Sequence, residues 1–363
     1  MTGPAPVSLN DFEARAKSLL PPEVWDFIAG GSGSEITLRA NRQALDSVAV
    51  YPRVLGGALR GTEASLLGTS TSMPIAVAPM AYQRLVHPAG EVAMAEAACQ
   101  ADIPLMLSAL SSCPVEEIAR TGAKIWFQLY WLQDRPKLEQ LIGRAQAAGS
   151  TALVVTLDVP IMGRRLRDVR NQFALPAEVV AANLTDGSAS RAHLARPGES
   201  AIAAHTSEMI GPALTWSDLE WLRARTNLPL AVKGILDPRD AVRAVEIGAD
   251  AVVVSNHGGR QLDGAPASTT ALAAVVAEVG QQCQVLLDSG IRSGMDVLRA
   301  LALGASGVLV GRPLLWALAV DGAAGAAQAL SLLRTEFRES LILAGCADPA
   351  AARELRIDQG ISR

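Results

Sequence analysis

The segment SNHGGRQLD, residues 255–263, holds the group best suited to moving a proton. Its histidine, His257, follows a short apolar run and precedes two glycines, which puts it at a tight turn just past a strand. An imidazole there is a natural general base near neutral pH. Three residues on, Arg260 offers a planar fork of donors shaped for a carboxylate. The chain has four histidines, and the other three (His87, His193, His205) fall in loop or helix-entry contexts that suit surface or capping roles.

Three further segments carry charge. In TLDVPIMGRR (156–165), Asp158 can pair with an imidazole and stabilise its protonated form, or simply cap a helix. Arg165 is a candidate second anion clamp, and Arg164 a solvated neighbour. Two turns rich in glycine and arginine, DSGIRSG (288–294) and GRP (311–313), combine backbone N–H groups with guanidinium charge, a pattern that suits phosphate. Lys233, in AVKG (231–234), fits either a Schiff base or a fixed positive charge beside an electron-rich cofactor.

All of these follow short apolar runs. Such runs lie at 74–78, 104–107, 125–129, 152–157, 229–232, 251–254, 284–287 and 307–310, with helical spacing between them. After each comes a polar or turn-forming group: Pro79 and Ala81, Ser108, Gln128 and Tyr130, Thr156 and Asp158, Lys233, Ser255 and His257, Asp288 and Gly290, Gly311 and Arg312. Eight strand–helix units over roughly 250 residues predict an α/β fold, a TIM (β/α)8 barrel whose strand ends form the site. An open doubly wound sheet would need a GxGxxG after its first strand, and PMAYQ (79–83) lacks it. The chain reads as a single domain over 1–363. Residues 1–73 form a helical extension, with Asn10 expected to cap its first helix, and 74–345 form the barrel. Residues 159–215 form a long insertion after strand four, where lids and substrate loops are found.

Composition narrows the class. Half of the 363 residues are hydrophobic, and the formal charge is only −4 with no basic arm, which argues against a nucleic-acid partner. The four cysteines form no CxxC pair, and no metal is expected. The N-terminus lacks a signal-peptide pattern, and no run of about 18 apolar residues marks a membrane span. A cytoplasmic enzyme is expected.

Together SNHGGRQLD, LPLAVKG (228–234) and LDSGIRSGMDVLRALALGASGVLVGRP (287–313) resemble the FMN-dependent 2-hydroxy acid oxidases and dehydrogenases, over nearly the whole chain. The resemblance implies FMN as cofactor and His257 as the base, with Asp158 stabilising its imidazolium. It implies that Arg165 and Arg260 hold the substrate carboxylate and Tyr130 its hydroxyl. Lys233 would stabilise the reduced, anionic flavin. Pro79, Met80 and Ala81 would line the flavin, and Ser108, Gln128, Thr156 and Ser255 would bind its ring or ribityl chain. Asp288, Gly290, Arg292, Gly311 and Arg312 would hold the ribityl phosphate end. A homotetramer is implied by the same analogy.

Two departures bear on the substrate. Phe27 in WDFI (25–28) and Leu110 in SALS (108–111) replace a tyrosine and a tryptophan of glycolate oxidase, so the pocket is larger or more apolar. Met162 adds a flexible apolar wall, and Ala81 a small one. These changes predict an aryl substrate, (S)-4-hydroxymandelate or (S)-mandelate, oxidised to the aryl glyoxylate with O2 reduced to hydrogen peroxide. The alternatives are an aliphatic hydroxy acid of the glycolate or lactate type, a mandelate dehydrogenase passing electrons to a quinone, and a non-catalytic phosphate-binding barrel. Asp186, Arg191, Arg196, Glu199 and Glu208 in the insertion weigh against membrane burial of that segment, and so against the quinone reading.

Overall fold

The computed structural model describes residues 4–184, 191–194, 200–211 and 214–359. The eight apolar runs become eight parallel strands: β1 Ile75–Val77, β2 Leu105–Ser108, β3 Ile125–Leu129, β4 Ala152–Thr156, β5 Leu230–Ile235, β6 Ala251–Val254, β7 Gln284–Leu287 and β8 Gly307–Val310. Each pairs with its neighbours in sequence, and β8 pairs with β1 to close the barrel. Side chains alternate between two buried clusters, as a period of two requires. Ala76, Met106, Trp126, Val154, Val253 and Leu286 pack inside the barrel. Val77, Leu107, Phe127, Val155, Val254 and Leu287 pack outward against the helices. With both faces covered, the strands need no polar alternation, and their sequence is accordingly a continuous apolar run.

The N-terminal end of the barrel is plugged by the hairpin Ala64–Leu66 and Thr69–Thr71. Leu66 joins the inner cluster, and the buried Trp126 indole donates to Thr69 Oγ1 at 3.2 Å. That leaves only the opposite rim open for chemistry.

Before the barrel come α1 (Leu9–Leu19), α2 (Pro22–Ala29) and α3 (Ile36–Asp46). The cap of α1 is Ser8 instead of Asn10: Ser8 Oγ accepts from Asp11 N–H at 3.3 Å, and Ser8 N–H donates to Asp11 Oδ2 at 2.9 Å. This reciprocal pair satisfies two otherwise orphaned groups at once, which Asn10 could not do. The long helix after β8, Arg312–Leu343, loses helical geometry at Asp321 and Gly322 and packs on α1. By length and composition it could cross a membrane, but 56% of its most apolar stretch is buried within the protein.

The insertion after β4 contains the helices Leu166–Arg170 and Ala201–Met209 and a short turn, Arg191–His193. His205 lies inside Ala201–Met209, not at a helix entry. Asp186, Arg196 and Glu199, and the side chains of Arg191 and Glu208, fall outside the described residues.

Candidate active site

Two hydrogen-bonded rows of buried side chains ring the C-terminal ends of the strands. From β2 to β4, Ser108 Oγ donates to Gln128 Oε1 and Gln128 Nε2 donates to Thr156 Oγ1, both at 3.0 Å. From β5 to β7, Lys233 Nζ donates to Ser255 Oγ at 3.0 Å, and Ser255 Oγ donates to Asp288 Oδ2 at 2.6 Å. Lys233 also lies 3.1 Å from Asp288 Oδ2. Burial works against the Lys233 ammonium, but Asp288 and Asp158 outweigh it and raise its pKa, so the lysine is held charged. A charged, ion-paired lysine is a poor Schiff-base nucleophile.

His257 stands above the second row. Its φ of 58° is unusual for a non-glycine residue and is held by Ser255, whose Oγ accepts the His257 N–H at 3.0 Å. The imidazole Nδ1 lies 3.0 Å from Asp158 Oδ1. Burial lowers the imidazole pKa, as do Lys233 and Arg165, while Asp158 pulls it back up. Burial alone would raise the Asp158 carboxyl, but His257 and Lys233 outweigh it and keep it below its usual range. At neutral pH the pair is therefore a neutral imidazole backed by a carboxylate, ready to accept a proton. Gly234 makes the approach possible, because a Cβ there would sit 2.6 Å from Asp158 Cβ.

The N-terminal extension locks the His257 loop from outside. Asn41 of α3 and Asn256 exchange amide hydrogen bonds at 2.9 and 2.7 Å. Asp263 accepts the N–H groups of Ser34 and Thr37 at 2.8 and 3.0 Å. The second glycine of the motif serves this contact, since a Cβ on Gly259 would lie 2.5 Å from Leu38 N.

Above the rim lies a cavity that opens to solvent at its mouth. Five cations line it: Arg165, Lys233, Arg260, Arg292 and Arg312. Among the described residues only Asp288 opposes them in its wall, with Asp158 behind His257 and Asp168 beside Arg165 at 4.0 Å. Burial, then Arg260, pushes the Arg165 guanidinium down to about 9, and burial pushes Arg292 down to about 10. Arg312 falls well below its usual value for the same first reason. A guanidinium remains charged even so, and such a cluster calls for anions. Arg260 and Arg312 both donate to the carbonyl end of α2, at Gly30 O, at 2.8 and 3.0 Å.

Of the residues singled out from sequence, Pro79, Met80 and Ala81 line the cavity beside β1, and Gly290 and Gly311 line it beside β7 and β8. Phe27, Leu110, Tyr130 and Met162 form its apolar side. Ser108, Gln128, Thr156, Ser255 and Asp158 do not reach its wall and form the layer beneath. Phe27 stacks on Phe173 at 4.6 Å, and the Arg260 and Arg165 guanidinium groups lie 5.2 and 5.9 Å from its ring centre. The ring that cannot donate a hydrogen bond thus offers its π face to both arginines. Sequence reasoning missed Ile202 and Thr206 of helix Ala201–Met209, which line the cavity from the insertion. Their spacing of four residues is the one trace of a shared face, too faint in so alanine-rich a helix to mark it. It also missed Gln261 and Ser289, for which residue type alone carried none.

The model of the FMN-dependent dehydrogenase family matches residues 16–359. The chain belongs to that family. It is 53% identical over 356 residues to 4-hydroxymandelate oxidase of Amycolatopsis orientalis, covering 98% of this chain and 99% of the relative. It is 47% identical to L-lactate oxidase of Nostoc sp. over 348 residues, covering 94% and 95% respectively. A crystal structure of mandelate oxidase with (S)-4-hydroxymandelic acid matches with a TM-score of 0.95 at 52% identity, covering 98% of this chain and 100% of that one. The family's cofactor, FMN, fits the donor set. Its phosphate would answer the positive charge of Arg292 and Arg312, whose hydrogen bonds among the described residues go to backbone carbonyls and not to carboxylates.

Proposed function

We propose that this chain oxidises the α-carbon of an (S)-2-hydroxy acid with an aryl side chain, (S)-4-hydroxymandelate or (S)-mandelate, to the aryl glyoxylate. The observation that carries the proposal is one constellation. His257, backed by Asp158, shares a cavity with the Arg165 and Arg260 guanidinium groups, and Leu110, Met162 and Ile202 give that cavity an apolar side. Arg165 and Arg260 take the carboxylate, and Tyr130 takes the α-hydroxyl. His257 accepts the proton that leaves as the α-carbon is oxidised, and Asp158 stabilises the imidazolium.

In this reading Pro79, Met80 and Ala81, with Ser108, Gln128, Thr156 and Ser255 beneath, hold the FMN ring and ribityl chain. Asp288, Gly290, Arg292, Gly311 and Arg312 hold its phosphate end. Bound FMN supplies the two-electron acceptor, which O2 regenerates with release of hydrogen peroxide. Lys233 keeps a fixed positive charge at the cavity floor.

The aryl preference is supported by Leu110, Met162 and Ile202, which give one side of the cavity an apolar surface suited to a ring. It is also supported by the identity of the relatives. Oxygen uptake with 4-hydroxymandelate, mandelate, glycolate and lactate tests both parts. Higher kcat/KM on the two mandelates is expected, and higher kcat/KM on glycolate overturns the aryl reading. Turnover with a quinone but not with O2 overturns the oxidase reading.

A further inference from the structure

The loop that leaves β4 carries Asp158 at its start and delivers Arg165 at its end, yet it has no secondary structure to hold it. Among the described residues, the backbone of 158–163 makes hydrogen bonds to one side chain only, Gln261. We propose that Gln261 is a positioning residue for the acid–base pair, fastening the loop after β4 to the loop after β6.

The carboxamide spends both of its N–H donors and one acceptor lone pair across that seam. Nε2 donates to the carbonyls of Asp158 and Ile161, both at 2.8 Å, and Oε1 accepts the Gly163 N–H at 3.0 Å. The surfaces are in direct contact: a Cβ on Gly163 would lie 2.4 Å from Arg260 O and 2.8 Å from Gln261 Cα. Gln261 is also the residue after Arg260 and lies four after His257. One side chain therefore sets the register between the loop of His257 and Arg260 and the loop of Asp158 and Arg165. Its grip on the Asp158 carbonyl is nearest the 3.0 Å contact between Asp158 and His257. Pro160 has no N–H to give, so no backbone ladder could replace this fastening.

The proposal rests on His257 acting as the base with Asp158 behind it. That reading fails separately, if His257→Ala turns over substrate like the parent. Asp158, Lys233, Arg165 and Asp288 are the charged groups facing His257. Of these Asp158 raises the imidazole pKa while Lys233 and Arg165 lower it. Releasing Asp158 therefore moves the acidic limb of the pH profile to lower pH.

Gln261→Met keeps the length of the side chain and removes all three bonds. The flavin content and melting temperature of the holoenzyme should hold, while kcat falls about 10- to 100-fold, the scale of a small misplacement at a reacting centre. KM for mandelate should change less than kcat, and the acidic limb should move down. In an Asp158→Asn background the same substitution should cost less than about threefold, because its route runs through Asp158. If Gln261→Met leaves kcat and the pH limb at parent values, raises KM alone, or costs as much without Asp158 as with it, the proposal is overturned. Should Gln261→Met lose flavin, Gln261→Glu repeats the test. It retains the volume and an acceptor for Gly163, and it removes both donors to the Asp158 and Ile161 carbonyls.

Discussion

The barrel rim and the insertion contribute to the same cavity in different ways. At the rim, groups are bonded to one another across strands: Ser108 to Gln128 to Thr156, and Lys233 to Ser255 to Asp288. Ser108, Gln128, Thr156 and Lys233 lie on strands, and Ser255 and Asp288 come directly after one, each strand being paired on both sides. The insertion instead presents Ile202 and Thr206 from a nine-residue helix that packs as a flap over the cavity. A polar network on a rigid frame preserves angles and charge states, whereas a short helix can change side chains without disturbing them. The contrast assigns chemistry to the rim, with Arg165 at the near end of the insertion, and substrate choice to helix Ala201–Met209. Rim variants should then lower kcat on every substrate, and variants of that helix should alter the ranking among substrates.

The largest effect belongs to His257. A positioned general base contributes about 10²- to 10⁴-fold, so His257→Ala should lower turnover by that order on mandelate and lactate alike. The purified variant should remain yellow, since the residues assigned to FMN are untouched, but anaerobic substrate should no longer bleach it. Rapid bleaching of the variant would remove the rim from its assigned role.

Asp158→Asn should give a smaller loss with a distinct pH signature. In the parent, burial holds the His257 pKa below its ordinary 6.5, so the imidazole is neutral and active at pH 7 and loses activity as protonation sets in below that pKa. Asp158 opposes the downward shift. Removing its charge lets the imidazole pKa drop further, so kcat/KM should persist to lower pH while its plateau falls, about 10- to 100-fold for an unstabilised imidazolium. A limb that moves to higher pH would mean that Asp158 does not act on His257 through charge.

The same contrast governs what could be read from sequence. The strands 125–129, 251–254, 284–287 and 307–310 emerge where their apolar runs lie, because a strand buried on both faces has no other pattern to show. Rim residues followed from being the first polar groups after those runs. α3 escaped because its buried face is Thr37, Asn41 and Leu45, of which only the last is apolar, and hydrophobic periodicity cannot see a polar face buried through hydrogen bonds. Asp168, buried beside Arg165, and Gln261, spent on the carbonyls of residues about a hundred positions away, are visible only once the loops are folded together. In the insertion, Ile202 and Thr206 sit in an alanine-rich stretch, AIAAHTSEM, whose periodicity is too weak to mark a face.

That weakly marked helix gives the smallest expected effect and the sharpest test of the division. Thr206 is the hydroxyl that the insertion adds to an otherwise apolar side of the cavity. Thr206→Val keeps its shape and removes its capacity to pair with a ring hydroxyl. A lost neutral hydrogen bond is worth about 0.5–1.5 kcal/mol, so kcat/KM on 4-hydroxymandelate should fall roughly two- to tenfold. Mandelate has no such group and should be unaffected or slightly favoured, which makes the ratio of the two substrates the quantity to measure. If both fall together, Thr206 acts on the site as a whole and the insertion shares in the chemistry. If only the ratio moves, this flap reads the far end of the substrate while the rim reads the end that reacts.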